Sequence, residues 1–202
     1  MLRLYDFLPS GNGYKVRLLL TQINRPFERV EINILDRESR TEEFLQKNPN
    51  GRIPVLQLET GEYLAESNAI LYYLSQGTDF FPTNAWEQAQ VMQWLFFEQY
   101  SHEPYIATSR YWISILGKAD EYQEAIAQKR EPGYAALGVM EQHLQERDFF
   151  ASDRYTIADI ALFAYTHVAD AGGFDLGNFP AIQHWLERVK AQPNYISIEE
   201  QM

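Results

Sequence analysis

Two patterns of apolar residues divide the chain, and this division constrains the fold more than any other feature. Up to about Ser75, short runs with the two-residue period of strands alternate with short runs at helical spacing, in the order βαβαββα. From Asn84 onward only helical patterns reach comparable length. The sequence therefore predicts an α/β domain at residues 1–76, a linker at residues 77–83 and an all-helical domain at residues 84–202. The cleft between two such domains is the expected place for a ligand.

Turn residues and spacing define the predicted elements of the α/β domain. After a first strand, the turn Ser10-Gly11-Asn12-Gly13 leads into a helix whose apolar residues recur at helical spacing. Ser39, with Glu42 three residues later, forms a capping box that is expected to open a short second helix. The strands are predicted at residues 2–7, 27–34, 53–58 and 63–65, and the third helix at residues 67–75.

One helix start in the predicted helical domain is clearer than the others. Thr156 can cap the helix while Asp159 reaches back to it, as in a capping box. Thr83 or Asn84 can begin a long helix that Pro104 is expected to kink or end. Further helices are predicted at residues 121–130, 134–146 and 180–192.

The composition excludes several classes of function. Seventeen Lys and Arg against twenty-eight Asp and Glu give a net charge of −11, which repels nucleic acid and anionic membrane surfaces. No apolar run approaches the length of a membrane span, and the N-terminal residues lack the pattern of a signal peptide. With no cysteine and four widely separated histidines, neither a metal site nor a cysteine nucleophile is expected. Any thiol chemistry must therefore use a thiol that the ligand brings.

Polar groups at three places in the α/β domain suggest a binding site. Ser10 lies in the first turn, Ile53-Pro54 begins a strand, and Glu66-Ser67 begins the third helix. Each alone has an ordinary explanation as a turn residue, a trans proline at a strand start, or a helix cap. In a βαβαββ unit, however, all three approach one end of the sheet. Their arrangement suits a ligand with a thiol, a peptide backbone and an α-amino acid head.

Four stretches of the chain resemble hallmarks of the cytosolic glutathione transferases. They are residues 5–20, 48–56, 66–74 and 155–161. The resemblance implies a thioredoxin-like N-terminal domain followed by an all-helical C-terminal domain, with glutathione as co-substrate and no metal. It also implies that Pro54 is cis, that the backbone of Ile53 pairs with the cysteinyl part of glutathione, and that Glu66 and Ser67 take the γ-glutamyl head.

Within this resemblance, Ser10 is the predicted catalytic residue. It lies six residues before Val16, a register similar to that of the activating serine in the theta, delta and zeta classes. The chain departs from the zeta class, which has a serine–serine–cysteine cluster here, and from the beta class, which uses a cysteine. Tyr5 is the competing candidate, because other classes use a tyrosine at the end of strand one. Its place within the strand pattern favours core packing instead.

Four basic residues are candidates for binding the glycyl carboxylate of glutathione. They are Lys15, Arg17, Arg40 and Arg52. Arg52 is the best placed because it adjoins Ile53, although a loop arginine is often simply solvated. Lys15 and Arg17 are interpreted as surface charges on the first helix.

The predicted function is conjugation of the glutathione thiolate to small hydrophobic electrophiles. Leu8, Pro9, Tyr105 and Arg110 are predicted to line the electrophile pocket. Three alternatives remain open: a glutathione-dependent peroxidase or reductase, an isomerase, and a non-catalytic ligand-binding or adaptor protein. A hydrophobic pocket discriminates weakly between apolar shapes, so the sequence does not identify the electrophile.

The expected partners and location also follow from the resemblance. Such proteins are usually cytoplasmic homodimers. The aromatic residues Trp94, Phe96 and Phe97 spread around the predicted fourth helix, which is more than one buried face requires. We expect glutathione and a hydrophobic electrophile as ligands, and neither nucleic acid nor a membrane as a partner.

Overall fold

A computed structural model describes residues 1–201, which form two compact units. The first unit contains Met1–Thr78 and the C-terminal segment, residues 193–201. The second unit is Asp79–Gln192. The sequence places the C-terminal segment in the helical domain, whereas in the structure it packs with the α/β unit. The order of an α/β part followed by a helical part is confirmed.

A mixed four-stranded sheet forms the centre of the first unit. Its strand order is β2-β1-β3-β4, with β1 parallel to β2 and antiparallel to β3, and β3 antiparallel to β4. The predicted βαβαββα order is confirmed. The strands are β1 (Leu2–Asp6), β2 (Phe27–Glu31), β3 (Val55–Gln57) and β4 (Tyr63–Ala65), and the helices are α1 (Gly11–Gln22), α2 (Glu42–Lys47) and α3 (Ser67–Ser75).

The alternation of side chains along β1 gives the sheet two buried faces. Leu4 joins a cluster with Val16 of α1 and Ile70 of α3. Tyr5, the next residue, points the other way and packs with Phe44 of α2. Helices therefore cover both faces, and the carboxyl end of β1 leads directly into the turn before α1.

The predicted cap of α2 is wrong. Thr41, not Ser39, caps this helix, and its hydroxyl accepts a hydrogen bond from the amide of Phe44 at 3.3 Å. Ser39 lies in a separate 3-10 turn, Glu38–Arg40. Because Glu42 is already the first residue of the helix, it cannot act as the distal member of a capping box that starts at Ser39.

Five α-helices form the second unit. They are α4 (Ala85–Phe97), α5 (Glu103–Arg110), α6 (Gln123–Leu144), α7 (Ile157–Thr166) and α8 (Pro180–Lys190). Asn84 caps α4, and the predicted capping box of Thr156 and Asp159 is present at the start of α7. Each of α4 and α5 continues into a π-helical turn, at Glu98–His102 and Tyr111–Ile115. Pro104 lies in the first turn of α5, where its missing N–H is tolerated.

The two helices predicted at residues 121–130 and 134–146 are one. Helix α6 runs through Pro132, which has no N–H for the helical hydrogen bond. Its buried face compensates for this loss, since Leu137 and Met140 are fully buried and Gly133 packs directly on the ring of Phe174. Within residues 1–201, none of the helices is long and apolar enough to cross a membrane.

Candidate functional site

Ser10 is the N-cap of α1, and its hydrogen bonds define its chemical role. Its backbone amide donates to the carbonyl of Phe7 at 2.7 Å, and its carbonyl accepts from Tyr14 at 2.9 Å. Its side-chain oxygen accepts from the amide of Gly13 at 3.2 Å. A hydroxyl has one proton to donate besides its lone pairs, so the proton of Ser10 is available to a ligand. The first turn of α1 contains no acidic residue, and its amides favour an anion.

The Ile53–Pro54 peptide bond is cis, as the resemblance implies. Regular pairing in β3 begins two residues later, where Val55 pairs with Tyr5 and Ala65. Ile53 is half-buried, and its backbone amide and carbonyl make no hydrogen bond to any described residue. This backbone can therefore pair with an extended peptide.

Asn48 shapes the loop that leads to this bond. Its side-chain nitrogen donates to the carbonyl of Arg52 at 2.8 Å, and its side-chain oxygen accepts from the amide of Asn50 at 3.1 Å. Its own carbonyl accepts from Gly51 at 2.8 Å. One buried asparagine thus fixes the conformation of residues 48–52.

Glu66 and Ser67 form the start of α3. Glu66 is exposed and has a positive φ of 70°, a conformation that non-glycine residues seldom adopt outside functional or strained sites. Ser67 is buried, and its hydroxyl donates to the side-chain oxygen of Asn12 at 3.1 Å. The ammonium of Lys15 in turn donates to the Ser67 hydroxyl at 3.4 Å. The start of α3 and the first turn of α1 are therefore in direct contact.

Sequence reasoning missed Asn12 and misjudged Lys15. Asn12 was assigned only to the glycine-rich turn, and its contact with Ser67 joins positions 55 residues apart. The sequence predicts a surface charge at Lys15, but its side chain is fully buried. The helical spacing was the signal that could have grouped these two residues, since Asn12 and Lys15 lie three residues apart on one face of α1.

The interpretation of Arg17 as a surface charge is also wrong. Its guanidinium is fully buried, and its Nε lies 2.9 Å from Oδ2 of Asp6, which is buried as well. Burial raises the pKa of Asp6 to about 7, although the charge of Arg17 and the amide of Phe7 oppose this shift. Burial likewise lowers the pKa of Arg17. The pair has room only because Gly13 lacks a side chain: a Cβ there would lie 1.5 Å from Oδ1 of Asp6.

Arg40 and Arg52 remain the exposed candidates for a ligand carboxylate. Arg52 adjoins Ile53 and is exposed. Arg40 donates to the carbonyl of Asn50 at 2.9 Å and lies over Gly51, so it also contacts the loop before the cis bond. Arg52 thus belongs to this loop, and Arg40 contacts it from the 3-10 turn Glu38–Arg40.

Tyr5 uses its hydroxyl inside the sheet. The hydroxyl donates to the side-chain oxygen of Gln57 at 3.0 Å, and the ring packs edge-on against Phe44. Burial raises the pKa of Tyr5, which disfavours a phenolate. These contacts agree with a packing role rather than a catalytic one.

The four predicted pocket residues lie in both units. Leu8 and Pro9 are half-buried in the turn that contains Ser10. Tyr105 and Arg110 are on α5, where the ring of Tyr105 lies 5.5 Å from the ammonium of Lys129. Burial lowers the pKa of Arg110. A shared pocket for these residues stays a prediction.

The site as a whole suits an anionic peptide. A hydroxyl donor, a free stretch of backbone and the start of a helix come from three separate elements of the first unit. Such a set can bind a sulfur anion, a peptide plane and a carboxylate. Among residues 1–201, no group of three or more His, Asp or Glu residues is arranged to hold a metal ion.

Comparisons with known proteins agree with this geometry. The family model "Glutathione S-transferase, N-terminal domain" matches residues 1–76, and "Glutathione S-transferase, C-terminal domain" matches residues 95–193. A crystal structure of a possible glutathione S-transferase from Rhodopseudomonas palustris is 47% identical, with a TM-score of 0.98 over 100% of this chain and 91% of that one. The predicted fold, a thioredoxin-like domain followed by a helical domain, is thereby confirmed.

Two curated relatives carry other names. "Disulfide-bond oxidoreductase YfcG" from Escherichia coli K12 is 28% identical, and the match covers 96% of this chain and 92% of the relative. "Protein URE2" from Candida albicans is 27% identical, with coverage of 94% of this chain and 67% of the relative. Relatives of similar identity thus bear different names, and only the first of these two names states an activity.

Proposed function

The chain belongs to the glutathione S-transferase family, and we propose that it conjugates the thiolate of glutathione to small hydrophobic electrophiles. The observation that carries the proposal is the hydrogen bonding of Ser10. Its oxygen accepts from Gly13, which leaves its proton available for donation to a ligand. In the proposed reaction Ser10 donates this proton in a hydrogen bond to the glutathione sulfur, and the thiolate attacks the electrophilic carbon.

Glutathione would be held by the three elements that surround Ser10. The backbone of Ile53 pairs with the cysteinyl residue, because its amide and carbonyl are unused by the described chain. The carboxylate of Glu66 takes the γ-glutamyl ammonium, and the amides at the start of α3, beginning with Ser67, take its carboxylate. Arg52 or Arg40 binds the glycyl carboxylate.

The energy available from one hydroxyl is sufficient. A free thiol with a pKa of about 8.5 is only a few per cent ionised at pH 7. A hydrogen bond to a charged group contributes about 1.5–3 kcal/mol, which corresponds to roughly one to two pKa units. Roughly a quarter to three quarters of the bound glutathione would then be thiolate at neutral pH. The amides of α1 add to this effect.

The test is a titration of glutathione followed by the ultraviolet absorbance of its thiolate. The Ser10→Ala variant should lose most of this absorbance at pH 7 while still binding S-methylglutathione. Ser10→Gly is the matched control for helix capping, because glycine at an N-cap lowers stability by only a few tenths of a kcal/mol and removes the same hydroxyl. Equal thiolate absorbance in the wild type and both variants would overturn the assignment of Ser10.

A second candidate is the reduction of disulfides by glutathione, which the name of the Escherichia coli relative suggests. The same thiolate would attack a disulfide sulfur, release one thiolate and form a mixed disulfide. A second glutathione would then release the other thiol and leave oxidised glutathione. A panel of carbon electrophiles, peroxides and disulfides separates the two reactions. Activity with no member of the panel, despite glutathione binding, would favour a non-catalytic role.

Leu8, Pro9, Tyr105 and Arg110 are our proposed contacts for the electrophile. All four are half-buried.

We also place the protein in the cytoplasm, a reducing compartment with a glutathione pool.

A homodimer is the proposed oligomeric state. Trp94 is buried, whereas Trp86, Phe96 and Tyr100 are 71%, 66% and 84% exposed. These three lie at helical spacing along α4 and the π-helical turn that follows, and form an apolar stripe that a second copy could cover. Sedimentation of the wild type and Phe96→Ser tests this, since the variant should shift toward monomer.

A further inference from the structure

The C-terminal segment lies against α1 and has no helix or strand in residues 193–201. Ile196 and Ile198 are its buried apolar contacts. The hydroxyl of Tyr14 donates to the carbonyl of Ile196 at 2.7 Å. With few apolar contacts and little regular structure, this segment has the features of a region that opens locally.

Arg17 joins the C-terminal segment to the Ser10 turn, which we define as Phe7–Ser10. One terminal nitrogen of its guanidinium donates to the carbonyls of Ile198 at 3.1 Å and Glu200 at 3.4 Å. The other donates to the carbonyl of Leu8 at 2.7 Å, two residues before Ser10. A single buried side chain therefore contacts both segments, while its Nε lies 2.9 Å from Oδ2 of Asp6.

One guanidinium makes all of these contacts, which couples them. A guanidinium has five N–H donors, and a buried one needs acceptors for them. If the C-terminal segment detaches, one nitrogen of Arg17 loses both of its carbonyl partners. We infer that the guanidinium then shifts toward new acceptors, and that its bond to Leu8 shifts with it.

We propose that Arg17 is a positioning residue through which the docked C-terminal segment holds the Ser10 turn in the geometry that ionises bound glutathione. This inference rests on the function proposed for Ser10. Arg17 itself touches neither the sulfur nor the electrophile in this scheme; it acts through the carbonyl of Leu8. In this proposal the C-terminal segment affects the ionisation of bound glutathione, although it lies far from Ser10 in sequence.

The test is a chain that ends at Asn194, compared with the full chain and with a control that lacks only residues 201–202. The control keeps both carbonyls that accept from Arg17. Removal of residues 195–202 should lower the thiolate-to-thiol ratio of bound glutathione about tenfold, which is one pKa unit. Its affinity for S-methylglutathione, which has no proton to lose, should stay within about twofold of wild type. General loosening of the site would instead weaken both ligands.

Two results distinguish failure of this inference from failure of the proposed function. An unchanged thiolate ratio in the shortened chain overturns the role of the C-terminal segment and leaves Ser10 intact. No thiolate signal in the full chain overturns both. Equal loss of affinity for glutathione and S-methylglutathione also overturns the positioning role, because it shows a structural effect alone.

Hydrogen exchange in the intact chain tests the same coupling without any truncation, and decides the question if the shortened chain does not fold. Because coupling between sites is reciprocal, glutathione should slow exchange of the C-terminal amides more than S-methylglutathione does. The amide of Glu200, which donates to the carbonyl of Ser197 at 3.2 Å, is the probe. Identical exchange with the two ligands would overturn the proposal.

Discussion

Asp6 at the end of β1 and Asp159 in the first turn of α7 both have buried carboxylates, yet different partners hold them. Asp159 accepts from four neutral donors: the amide and the hydroxyl of Thr156 at 2.9 and 3.3 Å, the amide of Phe150 at 3.1 Å, and the indole nitrogen of Trp185 at 3.0 Å. Asp6 faces the cation Arg17 and one amide.

The two buried carboxylates differ in what stabilises their charge. Around Asp159 several dipoles share the stabilisation of one carboxylate, and the result is a rigid start for the buried helix α7. Around Asp6 one cation provides most of it, and the same cation also reaches Leu8 and the C-terminal segment. The site lies beside the second arrangement, in which a single change affects several segments.

Arg17→Met should produce the largest loss of stability, because it leaves Asp6 buried without its cation. We expect the free energy of unfolding in urea to fall by about 3–5 kcal/mol. Adding Asp6→Asn should recover part of this loss. The control is Arg3→Met, which breaks the exposed ion pair with Glu28 and should leave stability nearly unchanged. Equal losses of stability in Arg17→Met and Arg3→Met would show that Asp6 does not depend on a buried cation.

Gly13→Ala should be next, since the added Cβ would lie 1.5 Å from Oδ1 of Asp6. Neither the helix nor the buried carboxylate can move freely, and we expect a loss of about 3 kcal/mol or failure to fold. Gly138→Ala is the matched control on another helix, because no atom lies within 4 Å of its added Cβ. That variant should gain about 0.5–1 kcal/mol. A mild effect at Gly13 would show that Asp6 is not fixed against α1.

The sequence predicts contacts between residues that are close in the chain, whereas it does not predict contacts between distant residues. Thr156 and Asp159 are three residues apart, so the capping motif alone predicts their contact. Arg17 meets Ile198 and Glu200 more than 180 residues away, and no spacing rule predicts such a contact. A basic residue on a helix was therefore interpreted as solvated, which is the usual outcome for that residue type.

The same limit explains the other differences. The order of strands and helices follows from hydrophobic periodicity, and the positions of Ser10 and Ser67 follow from helix starts. The contact of Ser67 with Asn12 depends on how α1 and α3 pack. The continuation of α6 through Pro132 depends on tertiary packing that overrides local propensity.

Trp185→Phe should have a moderate effect, because Asp159 keeps three of its four donors. Trp94→Phe is the matched control: this indole packs on Phe97, His143 and Phe150, and its nitrogen makes no hydrogen bond to residues 1–201. Both variants remove similar volume, so their difference isolates the donor. We expect Trp185→Phe to lose about 1–2 kcal/mol more than Trp94→Phe in urea unfolding. Equal losses would mean that packing alone holds Asp159.

The smallest expected effect is a dependence on pH at Asp159. Burial raises its pKa from 3.8 to about 6, so the folded state binds this proton more tightly than the unfolded state. The stability that comes from this tighter proton binding is therefore complete below pH 4 and is lost as the pH rises to about 6. In urea unfolding, the stability gap between wild type and Asp159→Asn should be about 1 kcal/mol larger at pH 5 than at pH 7. A gap that grows toward pH 7 would mean that the four donors lower the pKa of Asp159 more than burial raises it, and that neutral dipoles stabilise this carboxylate as well as a cation would.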